Sequence, residues 1–227
     1  MNLRTALANI HRDPLWWRKI LVGGALMLTI FGYPWAAGLV IESMDNTRRG
    51  FPTPLPPWRE WSTRYLIGLF AVLIDILFFG LPVFAVGLLF LCVGVLLLSS
   101  SSGAAAWLPI AGLVLIGVYE LAVFLSGVSP VGRLIYAESG RIEDALSTRS
   151  LRAALRPSAR RIYVRARLRS LPAYVPFALL ALLALAGGLA SWPVRLAIAW
   201  LALSALLYAH LAVAQLYAAA ESDVRFG

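Results

Sequence analysis

Five apolar stretches, at roughly 20–41, 65–98, 104–128, 171–190 and 196–220, dominate the chain. Each is about the 20 residues a helix needs to cross a bilayer, or longer. The second is too long for a straight crossing. At about 1.5 Å per residue it measures roughly 50 Å against a hydrocarbon layer near 30 Å, so it must tilt or bend, and Pro82 is the expected bend. Ahead of the first stretch, Leu3, Ala6, Leu7 and Ile10 form an i, i+3, i+4, i+7 stripe with Arg4, His11 and Arg12 on other faces. That pattern predicts a short interfacial helix within residues 1–14. Asp13-Pro14 then predicts the N-cap and first turn of a new helix at Trp16-Trp17-Arg18-Lys19. The apolar run continues past any point where a leader would be cut, so a signal peptide is not expected.

The linkers fall into two kinds. Ser99 to Gly103 is uncharged and Ser191 to Arg195 nearly so, and both are read as turns on the outer face. The N-terminus carries Arg4, Arg12, Arg18 and Lys19, the linker at 42–64 carries Arg48, Arg49, Arg59 and Arg64, and the loop at 129–171 carries ten arginines against three acids. Basic segments stay on the cytoplasmic side, which places all three there together with the C-terminus. If the first two share a side, the stretch at 20–41 must dip into the bilayer and return, with a break at Gly32-Tyr33-Pro34. The rival is a plain first crossing with an outside N-terminus.

Composition narrows the class. With 60% apolar and 14% charged residues the chain does not suit a water-facing surface. The fold class is therefore all-α: a polytopic membrane bundle of four full spans plus a re-entrant or spanning first segment, in one domain over 1–227. A multi-pass cell (inner) membrane protein follows. Cys92 is the lone cysteine and lies within an apolar run, which rules out an internal disulfide. The net charge of +9 is nearly all arginine and adjoins the membrane segments, so anionic lipid headgroups are the expected partners and nucleic acid is not.

The linker around Pro52, Pro54, Pro56 and Pro57 is held extended by its prolines, and Pro57 is expected to open a short helix that sets Trp58 and Trp61 on one face. Pro56, Pro57, Trp58 and Trp61 then form an interfacial anchor or a docking surface. Gly32-Tyr33, Arg48-Arg49-Gly50, Pro54-Leu55-Pro56, Trp58 through Trp61, Gly68 and Leu81-Pro82 give the chain a recognisable order of landmarks. Pro130, Tyr136-Ala137, the stretch from Gly140 to Leu146, and His210 with Gln215 and Tyr217 continue it. In these the chain resembles the bacterial and archaeal membrane proteins grouped as domain of unknown function 4013. It differs at Pro56-Pro57-Trp58, which has one proline more than the simpler Leu-Pro-x-Trp pattern. The resemblance implies fold and location and carries no activity.

The arginine-rich loop divides at Pro157. Its first half has Glu143 and Asp144 at the start of a helix and Arg152 and Arg156 near its end, which complements the helix dipole. Its second half presents Arg160, Arg161, Arg165 and Arg169 on what is expected to be an amphipathic helix lying on the cytoplasmic leaflet.

Ionisable groups within apolar segments are costly and point to a bundle interior. Asp75, Glu120 and His210 fall at similar depths on three helices, and Gln215 and two tyrosines, Tyr119 and Tyr208, could complete a buried polar cluster. Three readings stand for it: interhelical hydrogen-bond glue, a proton or solute pathway, and a metal site. No spacing enforces metal geometry, so neither metal nor other cofactor is expected. No nucleophile elbow, phosphate loop or His-Glu-x-x-His motif is present, so a catalytic role is not expected. The sequence therefore suggests a non-catalytic subunit or scaffold of an inner-membrane assembly, with a membrane-protein partner or a homo-oligomer. The alternative is a small permease-like or lipid-handling protein using the buried cluster.

Overall fold

The N-terminal stripe forms α1 (Leu3–His11), and the Asn2 side chain caps it by accepting from the Thr5 backbone N–H at 2.8 Å. These and all later details come from a computed structural model that describes residues 1–99, 107–186 and 191–226. Every regular element among them is helical. Ala6 and Ile10 are fully buried in the main hydrophobic core, so the apolar stripe of α1 faces the protein.

The first apolar stretch is broken. Helix α2 (Trp16–Met27) ends before a 3-10 turn at Ile30–Gly32, and α3 (Tyr33–Arg48) follows with Pro34 in its first turn. At about 1.5 Å per residue α2 is roughly 18 Å long and α3 roughly 24 Å, each short of a crossing. The outer ends of the pair lie together. Lys19 Nζ donates to the Leu55 carbonyl at 2.9 Å, and Arg12 shares a small cavity with Thr47 and Gly50. The tip residues Ile30 and Phe31 are 89% and 79% exposed. The two helices form a hairpin with an exposed apolar tip.

The second stretch is one helix, Trp61–Val93, built from α4 (Trp61–Asp75), a π-helical turn at Ile76–Gly80 and the start of α5 (Leu81–Ser99). The helix runs on without a break through Pro82. Proline lacks an N–H and its ring crowds the carbonyl four residues back, so the helix widens ahead of it and the Phe78 carbonyl is released. The Tyr119 hydroxyl donates to that oxygen at 3.0 Å.

Helix α6 (Leu108–Ser126) meets α7 (Val128–Ser139) at a bend of 45°. Gly127 supplies the left-handed residue there, with φ +72°. The loop continues as α8 (Ile142–Leu146) and α9 (Thr148–Leu155), interrupted at the extended Ser147, so its first half is two short helices where one was expected. Pro157 opens α10 (Pro157–Ser170), which passes through a 3-10 turn at Leu171–Tyr174 into α11 (Val175–Ala186). The arginine helix is thus continuous with a span, Pro157–Leu185. It runs lengthwise along α12 (Trp192–Phe226): Tyr163 stacks on Tyr217 at 5.8 Å and Tyr174 meets His210 at 6.0 Å.

Three helices among the described residues, Trp61–Val93, Pro157–Leu185 and Trp192–Val224, are long and apolar enough to cross a membrane, and the bent α6–α7 pair makes a fourth if it is one span. The expected turn at Ser99 to Gly103 lies, after Ser99, outside the described residues, and Trp192 to Arg195 belong to α12 and not to a turn.

Glycines set the close crossings. A Cβ at Gly68 would stand 1.6 Å from the Pro34 carbonyl oxygen, and one at Gly38 would stand 2.2 Å from that of Arg64. Between α2 and α12, a Cβ at Gly24 would stand 2.8 Å from the Ser204 backbone. Small residues allow helix backbones to approach this closely, which is how membrane helices gain dispersion contact.

Candidate functional site: a charged cavity inside the bundle

Asp75 ends α4 where the π-helical turn begins, a distortion often found at functional positions. Its Oδ1 accepts from Ser129 Oγ at 2.7 Å, and its Oδ2 pairs with the Arg133 guanidinium. Both partners come from the first turns of α7, which the bend at Gly127 turns toward α4. Arg133 is 9% exposed, and its Nε has no hydrogen-bond partner.

Arg167, from the arginine helix, is buried more deeply, at 4% exposed. Its Nε donates to the Phe124 carbonyl at 3.0 Å, one of the last-turn oxygens that the end of α6 leaves without an intrahelical donor. Its guanidinium lies 4.2 Å from the Phe124 ring centroid and 5.4 Å from that of Tyr217. No carboxylate pairs with it among the described residues.

Asp75, Ser129, Arg133, Arg167, Tyr174 and His210 line one partly open cavity of about 190 Å³, together with apolar side chains such as Met44 and Phe79. Its walls come from α3, α6, α7, α10, α12 and the stretch from Asp75 to Phe79. Two guanidiniums face one carboxylate, so the cavity carries a surplus of positive charge.

The expected cluster is therefore half assembled. Asp75 and His210 meet. Glu120 does not line the cavity, and its Oε1 is buried with no hydrogen-bond partner. Gln215 sits elsewhere on α12, where its Nε2 donates to Ser43 Oγ at 3.2 Å, its Oε1 is unpartnered, and its side chain borders the cavity near Arg12. Of the two tyrosines, Tyr119 bonds to Phe78, and Tyr208 pairs with His11 Nε2 at 2.8 Å. No group of three His, Cys, Asp or Glu side chains is placed to hold a metal among the described residues.

Sequence reasoning missed Arg133 and Arg167 by counting them with the loop charges. The signal was local. Arg133 stands alone among apolar neighbours from Val128 to Ala137, and Arg167 adjoins the buried Ala159, Tyr163, Ala166 and Ser170 face of α10.

The four surface arginines behave differently. Arg160, Arg161, Arg165 and Arg169 are exposed; the first three border one open groove, and Arg169 donates to the Met1 carbonyl at 3.0 Å.

The proline-tryptophan linker is tied to the bundle. Pro56 is buried, and the expected short helix at Pro57 does not form, because Glu60 takes a left-handed conformation and α4 starts only at Trp61. Trp58 and Trp61 still share a face, through ring stacking at 5.4 Å. Trp58 Nε1 donates to the Lys19 carbonyl at 3.3 Å, and Trp35 Nε1 donates to that of Trp61 at 2.8 Å. Arg64 lies over Trp58 at 5.1 Å, donates to the Pro57 carbonyl at 2.7 Å and forms a two-pronged pair with Glu42 at 3.1 and 2.6 Å. Trp61 remains 43% exposed.

These features define a helical bundle with apolar helices compatible with a membrane protein. The chain belongs to the family described as Protein of unknown function (DUF4013), whose model matches residues 21–187. His210, Gln215 and Tyr217 lie beyond the matched residues, so those three landmarks are not part of the match. No curated protein and no solved structure matches the chain.

Proposed function

We propose that the protein is a non-catalytic member of an inner-membrane assembly, acting as a subunit or scaffold. The supporting observation is how little of its apolar helix surface is used internally. Within the most apolar window of Trp61–Val93 no residue is buried, against 39% in the corresponding window of Trp192–Val224. The inner shell of α1, α2, α3, α7, α10 and α12 is well packed, while α5, α6 and α11 extend as largely exposed apolar surfaces. A membrane-protein partner or a second copy of the chain would pack there in addition to lipid. Trp61 and the neighbouring exposed Pro57 offer a rigid rim for such a contact. The exposed arginines of α10 would hold this side against anionic headgroups on the cytoplasmic leaflet.

Extraction of the intact protein from native membranes into lipid nanodiscs, followed by native mass spectrometry, tests this reading. A stoichiometric protein companion or a fixed homo-oligomer is expected. A chain that is monomeric throughout, with no protein companion, contradicts it. A lipid-handling role is the second reading, and the interior cavity with its surplus positive charge is the observation that favours it.

A further inference from the structure

We infer that the cavity between Arg133 and Arg167 is a binding site for a phosphate-type oxyanion. The inference goes beyond the assembly reading and holds whether the chain is a scaffold or a lipid handler.

Charge and hydrogen bonding carry it together. Burying a guanidinium is costly unless an anion or a full set of acceptors meets it. Arg133 has its anion, yet its Nε has no acceptor. Arg167, 4% exposed, has one carbonyl, two aromatic faces and the hydroxyls of Tyr174 and Tyr217 as partners, but no carboxylate to neutralise its charge. Both line the same hollow, with the hydroxyl of Tyr174 and the imidazole of His210 around it, while the Ser129 hydroxyl is committed to Asp75. Asp75 does not supply the missing charge. Each of its oxygens already has a partner, one in Ser129 and the other in Arg133.

The ligand chemistry follows from the donors. Guanidinium groups present planar forks that match the oxygens of phosphate, and hydroxyl and imidazole groups can add hydrogen bonds around them. At about 190 Å³ the hollow exceeds the roughly 30 Å³ share of a single water, so it has room for a group of several heavy atoms. Its apolar wall of Val40, Met44, Phe79 and Val213 suits a ligand whose charged end is attached to something less polar. A phospholipid headgroup and a free phosphate share the required chemistry.

The test uses the full chain in phosphatidylcholine nanodiscs containing a minority of phosphatidylglycerol, with retained lipid counted by native mass spectrometry. A parallel arm adds inorganic phosphate to protein in neutral detergent and follows the melting temperature against an equal concentration of chloride. One phosphatidylglycerol retained per chain identifies a headgroup site, whereas a phosphate-dependent rise in melting temperature without lipid retention identifies a free-anion site. Either signal should fall at least tenfold in Arg167→Gln and persist in the triple variant R160Q/R161Q/R165Q, whose changes lie on the exposed groove. If Arg167→Gln does not fold, the unmodified protein decides: a specific response to phosphatidylglycerol or phosphate supports the site. The inference is overturned if the unmodified protein responds to neither. It is equally overturned if folded Arg167→Gln keeps the response, or if the triple variant loses it.

Discussion

Arginine is the residue on which this molecule turns, because its side chains serve three separate purposes. Arg160, Arg161 and Arg165 stay at the surface, Arg133 and Arg167 point into the interior, and Arg48 and Arg64 join separate helices. Arg48 reaches Asp45, Glu138 and Glu221, linking the end of α3 to α7 and α12. Arg64 is 3% exposed and depends on Glu42 for its counter-charge. Removing one member of a buried pair leaves the other charge uncompensated, at a cost of about 3–5 kcal/mol. Glu42→Ala should therefore lower the melting temperature in detergent clearly more than Glu143→Ala, which changes an acid in the first turn of the five-residue α8. Equal effects of the two substitutions would show that the Arg64 pair contributes little.

At the scale of elements, the apolar runs foretold where helices lie but not how they deform. Runs of about 20 apolar residues are a local property and survive any packing, which is why most of the helices long and apolar enough to cross a membrane could be read directly. The widened turn before Pro82, the bend at Gly127 and the close crossing at Gly68 depend on partners distant in sequence. Asp75 and His210 could be brought together from depth alone, whereas Glu120 could not be excluded, because its rotation about α6 is set by how α6 packs. Arg133 and Arg167 were hidden for the same reason: charge counting sees a basic loop, and only the turn into α7 and the alignment of α10 along α12 carry these two inward.

Two substitutions probe these crossings. Gly68→Ala places a methyl group against the Pro34 carbonyl, so α3 and α4 must separate, and overpacking of this kind costs about 1–3 kcal/mol or more. Gly87→Ala, where nothing lies within 4 Å, is the matched control and should melt like the parent. Tyr119→Phe removes the bond to the Phe78 carbonyl and should cost only about 0.6–1 kcal/mol, since membrane hydrogen bonds contribute modestly and the π-helical turn persists through Pro82. Thermal unfolding followed by size-exclusion chromatography would rank all three. A Gly68→Ala protein as stable as Gly87→Ala would refute the close crossing.

For the whole molecule, we propose that the first apolar segment returns to its starting side, so that the N-terminus, the proline-tryptophan linker and the arginine helix face the same compartment. The bonds from Lys19 to Leu55 and from Arg169 to Met1 join these three segments directly. With Cys92 replaced by alanine, single cysteines at Asn2, Phe51, Arg160 and Trp107 can be tested in intact cells and in opened membranes with a thiol reagent that does not cross the bilayer. Positions 2, 51 and 160 should react only when the membrane is opened, and position 107 should react in intact cells. Labelling of position 2 in intact cells while position 51 remains protected would show that the first segment crosses, and would contradict the hairpin on which this arrangement depends.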